Sequence, residues 1–103
     1  MGTDERSGFN LQDTEVIASL SSSVGFTSTY ITEKKMITLS YVLIQPHGGA
    51  IHYQTNGDAA KTDEGIHLEE FSSVEIWGWQ AIKNFRVIDD GATAKLSCKY
   101  YGA

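Results

Sequence analysis

The chain reads YVLIQPHGGAIHYQTNG at residues 41–57, GIHLEEFSSVEIWG at residues 65–78 and AIKNFRVIDDGATAKLSCKYY at residues 81–101. Each segment is rich in β-branched and aromatic residues, which favour strands, and contains or is bounded by glycine, asparagine or aspartate, which favour turns. Helical periodicity extends over no useful length of the chain. These segments therefore predict paired β-strands joined by short turns.

The last segment shows the strand pattern most clearly. Its apolar side chains occupy alternate positions, at Ala94, Leu96, Cys98 and Tyr100. Alternation with a period of two predicts a strand with one buried and one exposed face. The single cysteine, Cys98, is then expected to be a small buried apolar residue rather than a nucleophile. Tyr101 is expected on the exposed face.

The strand and turn pattern predicts an all-β fold, a compact antiparallel β-sandwich or small barrel of about seven or eight short strands. A chain of 103 residues is long enough for one such domain. We assign residues 15–103 to this domain and residues 1–14 to an extended N-terminal arm. Phe9 and Leu11 are isolated apolar residues within the arm, which favours an arm that lies on a neighbouring subunit. A frayed terminus is the alternative.

Two tryptophans are predicted to share one face of a strand at residues 73–79. Trp77 and Trp79 have one parity in this strand, while Val74 and Ile76 have the other and are expected to face the core. Large aromatic side chains are costly to leave in water. The tryptophans are therefore either covered by a second sheet or by the arm, or they form a contact surface for a protein or a sugar.

The clearest hairpin is predicted near the end of the chain. Residues 81–88 are expected to pair with residues 93–101 through Asp89-Asp90-Gly91, because aspartate followed by glycine is a strong turn signal. Residues 36–45 are expected to form another strand. This strand is apolar on both faces toward its end, which predicts cover on both sides.

The charge balance excludes some partners. The net charge is −5, and acidic residues concentrate between residues 58 and 75. Such a chain lacks the clustered lysines and arginines that neutralise phosphates, so we expect no nucleic-acid partner. No apolar run has the length of a transmembrane helix, and residues 1–14 lack the apolar core of a signal peptide. We therefore expect no membrane partner and synthesis in a reducing cytoplasm.

Recognisable catalytic motifs are missing from the sequence. It contains no G-x-S-x-G, no P-loop and no H-E-x-x-H. We therefore expect no catalytic residue, no enzymatic activity, no cofactor and no metal ion. One alternative stays open, because His52 and His67 alternate opposite the apolar residues of two predicted strands. With a nearby carboxylate they could bind a metal ion, provided that they met across the sheet.

About half of the chain, residues 50–101, resembles small β-rich proteins from the structural gene clusters of tailed bacteriophages. The shared landmarks follow one another in order: Ile51-His52-Tyr53, Asn56-Gly57-Asp58, Lys61-Thr62, Gly65 to Leu68, Ile82 to Ile88 and Tyr100-Tyr101. The chain departs from that pattern in two places. The loop at residues 58–65 has no proline, and Glu70-Phe71-Ser72-Ser73 replaces a glycine-aspartate turn.

The resemblance implies a non-enzymatic virion protein, most specifically a capsid decoration (cement) protein. Such a protein would bind the major capsid protein on the capsid exterior and would associate with itself as a dimer or trimer. The candidate interface residues are Phe9, Leu11, Trp77, Trp79 and Tyr101. The alternative is a tail or fibre module that binds a host surface glycan through the two tryptophans.

Overall fold

The computed structural model describes residues 10–27, 39–58, 65–91 and 93–102. Within these ranges the chain forms seven strands and one short helix. In chain order they are β1 (Asn10–Ile17), β2 (Leu39–His47), β3 (Ile51–Gln54), β4 (Ile66–Leu68), β5 (Val74–Trp77), α1 (Trp79–Asn84), β6 (Arg86–Asp89) and β7 (Lys95–Gly102).

The strands form two antiparallel sheets. The larger sheet has the order β1-β7-β2-β5, and the smaller sheet has the order β4-β3-β6. The prediction of an all-β, antiparallel fold is confirmed. Consecutive strands often lie in different sheets, so the chain passes repeatedly from one sheet to the other.

Strand β7 is the centre of the larger sheet. It pairs with β1 along one edge and with β2 along the other, and the two ladders together span its whole length. Leu96, Cys98 and Tyr100 point into the core and are fully buried. The predicted alternation in this strand is therefore confirmed on its inner face.

One apolar cluster fills the space between the sheets. The larger sheet contributes inward residues of β1, β2, β5 and β7, the smaller sheet contributes residues of β3 and β6, and α1 contributes Ile82. Phe26 stacks on Phe85 with ring centroids 4.1 Å apart and meets Tyr100 edge-on at 5.6 Å. Burial of apolar surface is the dominant favourable contribution to folding, and aromatic side chains each bury a large area.

The predicted hairpin at residues 81–101 is wrong. Residues 79–84 form α1, and β6 pairs with β3 of the smaller sheet instead of with β7. Ile82 and Phe85 are three positions apart and both are buried, a spacing that fits a helical turn. The turn after β6 therefore carries the chain from one sheet to the other.

The single strand predicted at residues 73–79 is also wrong, because β5 ends at Trp77. Gly78 follows with φ 91° and ψ 148°, a conformation that essentially only glycine adopts, and α1 begins at Trp79. Val74 and Ile76 do face the core as predicted.

Strand β1 runs across the boundary that the sequence suggested at residue 14. Its residues 10–17 pair with β7 in a ladder that has one register shift, between Leu11 and Asp13. Residues 1–9 of the predicted arm, with Phe9, lie outside the described residues. The start of the strand predicted at residue 36 lies outside them too, and β2 is described from Leu39.

A polar contact lies at the edge of the core. Glu15 of β1 accepts hydrogen bonds from the hydroxyls of Tyr100 and Thr27, and the Thr27 N–H donates to the same carboxylate at 3.2 Å. Burial, and then the bond to Glu15, raise the pKa of Tyr100 far above its usual value. Burial, and then the charge of Glu15, likewise raise the pKa of the Cys98 thiol.

These two raised pKa values predict a loss of stability in alkali. Cys98 and Tyr100 are neutral when protonated, and the folded state keeps their protons at pH values where the unfolded chain, with ordinary values of 9.0 and 10.0, has released them. The contribution is complete below those values and is lost as the pH rises above them. We expect the free energy of unfolding in urea to fall by about 1.4 kcal/mol per pH unit for each proton released.

The control is Tyr100→Phe, which keeps the ring and removes the ionisable hydroxyl. Urea unfolding between pH 8 and pH 11 is expected to show a shallower alkaline loss for this variant than for the parent protein. Equal slopes in the two proteins would contradict the assigned role of Tyr100.

Candidate functional site

Two groups of side chains lie apart from the central apolar cluster and include exposed members that a partner or ligand could reach. The first, which we call the aromatic stack, consists of Tyr41, Trp77 and Tyr101 on the outer face of the larger sheet. The second, which we call the histidine cluster, consists of His52, His67, Glu69 and Asp90 beside the smaller sheet. Neither group belongs to the central apolar cluster.

The aromatic stack is built by the register of three neighbouring strands. Tyr41 of β2 pairs with Trp77 of β5 on one side and with Tyr101 of β7 on the other, and directly paired residues of antiparallel strands point to the same face. The ring centroids of Tyr41 and Trp77 are 4.4 Å apart, and those of Tyr41 and Tyr101 are 4.9 Å apart. The Trp77 indole N–H donates to Glu75 Oε1 at 2.9 Å.

Burial differs sharply within the stack. Tyr41 and Tyr101 are each 1% exposed, whereas Trp77 is 46% exposed. The prediction that Tyr101 is exposed is therefore wrong: its side chain is buried, and its ring stacks on Tyr41. Trp77 is the member of the stack that a partner can reach.

The outer face extends beyond the stack along the same strands. Leu11, a predicted interface residue, pairs with Tyr101 and is 47% exposed, and Val16 pairs with Ser97 and is also exposed. A shallow depression of about 130 Å³ continues the face, lined by Leu43, Gln45, Ser73, Ser97 and Lys99. The face thus combines exposed apolar groups with a polar hollow.

The sequence predicted that Trp77 and Trp79 share one face of a strand. This prediction is wrong, because Trp77 ends β5 and Trp79 lies in α1. Trp79 is the first residue of α1, and Lys83, one helical turn later, places its Nζ 5.7 Å from the centre of the indole ring. Trp79 is exposed to a similar degree as Trp77. The two tryptophans flank Gly78, so the sharp backbone turn at this glycine directs them separately.

Phe71 is an exposed residue that sequence reasoning missed. It is the one non-glycine residue with a positive φ among those that the structure describes, at 68°. Its N–H donates to the Pro46 carbonyl at 2.8 Å, its carbonyl accepts from Gln45 Nε2 at 2.7 Å, and its ring meets His47 edge-on. These bonds to β2 hold a large apolar side chain outward in an unfavourable backbone conformation.

The histidine cluster is created by the pairing of β3 with β4. His52 and His67 are directly opposite each other in that ladder, and His67 Nδ1 lies 3.3 Å from His52 Nε2. The other nitrogen of His67, Nε2, lies 2.5 Å from Glu69 Oε2. His52 Nδ1 is buried, makes no hydrogen bond, and faces Asp90 Oδ1 at 3.6 Å.

Asp90 joins the cluster because of the turn after β6. Its N–H donates to the Ala50 carbonyl at 3.1 Å, which places it beside the start of β3. The sequence singled out the two histidines through their alternation, but it assigned Asp90 to a hairpin turn. Only the path of β6 into the smaller sheet brings Asp90 to His52.

Cys98 lies in the core and not in either group. Its side chain is fully buried, and its raised pKa keeps the thiol protonated at neutral pH. A protonated, inaccessible thiol is a poor nucleophile. The residue acts as the packing residue that the sequence predicted.

Comparison of the chain with protein-family models, with curated proteins and with solved structures gave no match. In the described parts of the chain, no helix has the length and apolar character needed to cross a bilayer.

The positive φ of Phe71 can be tested by comparing the stabilities of glycine and alanine variants at this position. At an ordinary site glycine is less stable than alanine by roughly 0.5–1 kcal/mol, because it loses more backbone freedom on folding. At positive φ the order reverses, since alanine carries a steric cost of about 1–2 kcal/mol that glycine avoids. We expect Phe71→Gly to be more stable than Phe71→Ala by about 1 kcal/mol in urea unfolding.

Both variants lack the aromatic ring, so the comparison isolates the backbone. If Phe71→Ala were the more stable of the two, residue 71 would not have the positive φ that exposes its ring.

Proposed function

We propose that this chain is a non-enzymatic structural protein that binds a protein lattice through the outer face of its larger sheet. The observation that carries the proposal is the group of large apolar side chains exposed on or beside that face: Leu11, Val16, Phe71 and Trp77. Exposed apolar groups next to polar ones are typical of contact surfaces, and tryptophan is enriched among the residues that dominate binding energy.

The cost of the Phe71 conformation supports a contact role for this residue. An exposed phenylalanine at positive φ contributes strain without the burial that normally offsets it. Strained residues of this kind cluster at functional sites. A partner surface that covered the ring would supply the missing burial.

The resemblance to virion proteins of tailed bacteriophages supplies the proposed lattice. In this proposal the chain is a capsid decoration protein that binds the major capsid protein from the capsid exterior. It also associates with itself as a dimer or trimer, so that each assembled unit spans neighbouring capsid subunits. Contacts of about 1,000–2,000 Å² at each site are sufficient, because many linked copies around a shell act together.

Glycan binding by a tail or fibre module is the second candidate. The observation that favours it is the pair of half-exposed tryptophans on either side of Gly78. Sugars stack on indole rings, but Trp77 already has one ring face against Tyr41, and Lys83 lies over Trp79. Each indole therefore offers a single face to a ligand.

Substitutions on the outer face test the proposed contact. We expect Trp77→Ala and Phe71→Gly each to lower the affinity for DNA-free shells of the encoding phage at least tenfold, as measured by co-sedimentation. Central aromatic residues of an interface contribute about 2 kcal/mol or more to binding. The matched control is Ile66→Ala, which removes from β4 of the smaller sheet an apolar side chain whose exposure is intermediate between those of Trp77 and Phe71. Circular dichroism checks that each variant is folded.

The parent protein decides between the two candidates. If it stays in the supernatant at saturating shell concentration, the decoration role is rejected. A saturable change in tryptophan fluorescence during sugar titration, lost in Trp77→Ala or Trp79→Ala, would support glycan binding in its place.

Removal of the first nine residues tests the proposed arm. Deletion of residues 1–9 is expected to weaken shell binding through loss of Phe9, while the whole of β1, Asn10–Ile17, is kept. A longer deletion, of residues 1–14, also removes the part of β1 that pairs with Tyr100 and Tyr101, so it serves as the destabilised comparison. Unchanged shell binding by the shorter deletion would eliminate the arm from the interface.

A further inference from the structure

The histidine cluster has more hydrogen-bond acceptors than donors when both imidazole rings are neutral. Glu69 is a carboxylate that can only accept, so the 2.5 Å contact with His67 Nε2 requires the proton of a neutral His67 ring to be on Nε2. His67 Nδ1 is then a bare lone pair. It faces His52 Nε2 at 3.3 Å and Asp90 Oδ2 at 3.9 Å.

Neither tautomer of a neutral His52 resolves this arrangement. With its proton on Nε2, His52 donates to His67, but its buried Nδ1 then presents a lone pair to the Asp90 carboxylate at 3.6 Å. With its proton on Nδ1, the lone pairs of His52 and His67 face each other. In either case two acceptors meet without a donor between them, an arrangement that a bound cation would resolve.

We propose that His52, His67 and Asp90 form a binding site for a divalent transition-metal ion, with Zn²⁺ as the ion that fits best. One donor atom can be chosen from each of the three residues so that all of them lie within 4.8 Å of one another. Zinc binds imidazole nitrogen and carboxylate oxygen at about 2.0–2.2 Å, which places tetrahedral ligands about 3.3 Å apart. The two facing histidine nitrogens already have that separation.

Glu69 completes the arrangement around the first ligand. Histidines that bind metals usually donate their other ring N–H to a carboxylate, which orients the ring and raises its basicity. The pair of His67 Nε2 and Glu69 Oε2 has this geometry and leaves Nδ1 directed toward the other two residues. Glu69 is therefore a positioning residue and not a ligand.

Access to the site and the choice of ion follow from exposure and ligand type. The His52 side chain is 12% exposed, while those of His67 and Asp90 are about 40% exposed, so an ion reaches the site from solvent. Two nitrogen ligands favour Zn²⁺ over Ca²⁺ and Mg²⁺, which prefer oxygen. With three protein ligands, a fourth position is left for water.

A bound ion would join three separate parts of the smaller sheet. His67 lies in β4, an edge strand of three residues, His52 lies in the central strand β3, and Asp90 follows β6. An ion that binds the folded state but not the unfolded chain stabilises the fold in proportion to its occupancy. The expected role is structural, as a tie across β4, β3 and the turn at Asp90.

Equilibrium dialysis of the full chain, first freed of metal with a chelator, tests the site. We expect one Zn²⁺ per chain, measured by elemental analysis, and no saturable binding of Ca²⁺ under the same conditions. Co²⁺ should give the visible absorption bands of a tetrahedral nitrogen and oxygen site. Zn²⁺ should also raise the melting temperature of the parent protein.

Four variants separate a built site from a general affinity for histidines or acidic side chains. His67→Ala is expected to lose the Zn²⁺ stoichiometry and the rise in melting temperature, and Glu69→Gln to weaken binding about 10–100-fold. The controls are His47→Ala, a histidine of β2 that contacts Phe71, and Glu70→Gln, whose carboxylate binds the Gly48 N–H instead. Both controls should bind like the parent.

Several results would overturn the proposal. Failure to saturate at one ion per chain would show that the cluster is not a metal site. Equal losses for Glu69→Gln and Glu70→Gln would show that the ion follows general negative charge. Unchanged binding in His67→Ala, a partly exposed position where the variant is expected to fold, would place the ion elsewhere.

Discussion

The larger sheet depends on the pairing of β7 along both of its edges. Once β1 and β2 are hydrogen-bonded to it, the alternation of β7 commits Leu96, Cys98 and Tyr100 to the core and Tyr101 to the opposite face. A shift of one residue in either ladder would move every side chain to the wrong face, so the buried cluster fixes the register. The register in turn places Tyr41 between Tyr101 and Trp77.

The two groups of outer side chains are consequences of registers in different sheets. In the larger sheet, pairing of three strands builds the aromatic stack, in which two buried tyrosines support a half-exposed tryptophan. In the smaller sheet, the β3–β4 ladder puts two histidines directly opposite each other. The aromatic stack and the two facing histidines therefore arise on separate sheets.

The sequence predicted different parts of the two groups of side chains. It named Trp77 and Leu11 as interface candidates but left open whether Trp77 was covered, and both side chains are about half exposed. It assigned exposure to Tyr101, which is buried, because alternation gives the face of a residue and not what packs against that face. It named His52 and His67 as possible ligands that would have to meet across a sheet. It did not identify Asp90 as a third member of the cluster, because residues 89–91 have the composition of a hairpin turn.

The sequence by itself determined the all-β class, most of the strand positions and the inner face of β7, because period-two alternation and turn residues act locally. Only the tertiary structure decided that residues 79–84 form a helix and that β6 joins β3 instead of β7. The physical reason lies in burial. Ile82, Phe85 and Val87 reach the core through a helical turn followed by a strand of the smaller sheet. The pattern of residues 81–88 alone does not predict with which sheet they pack.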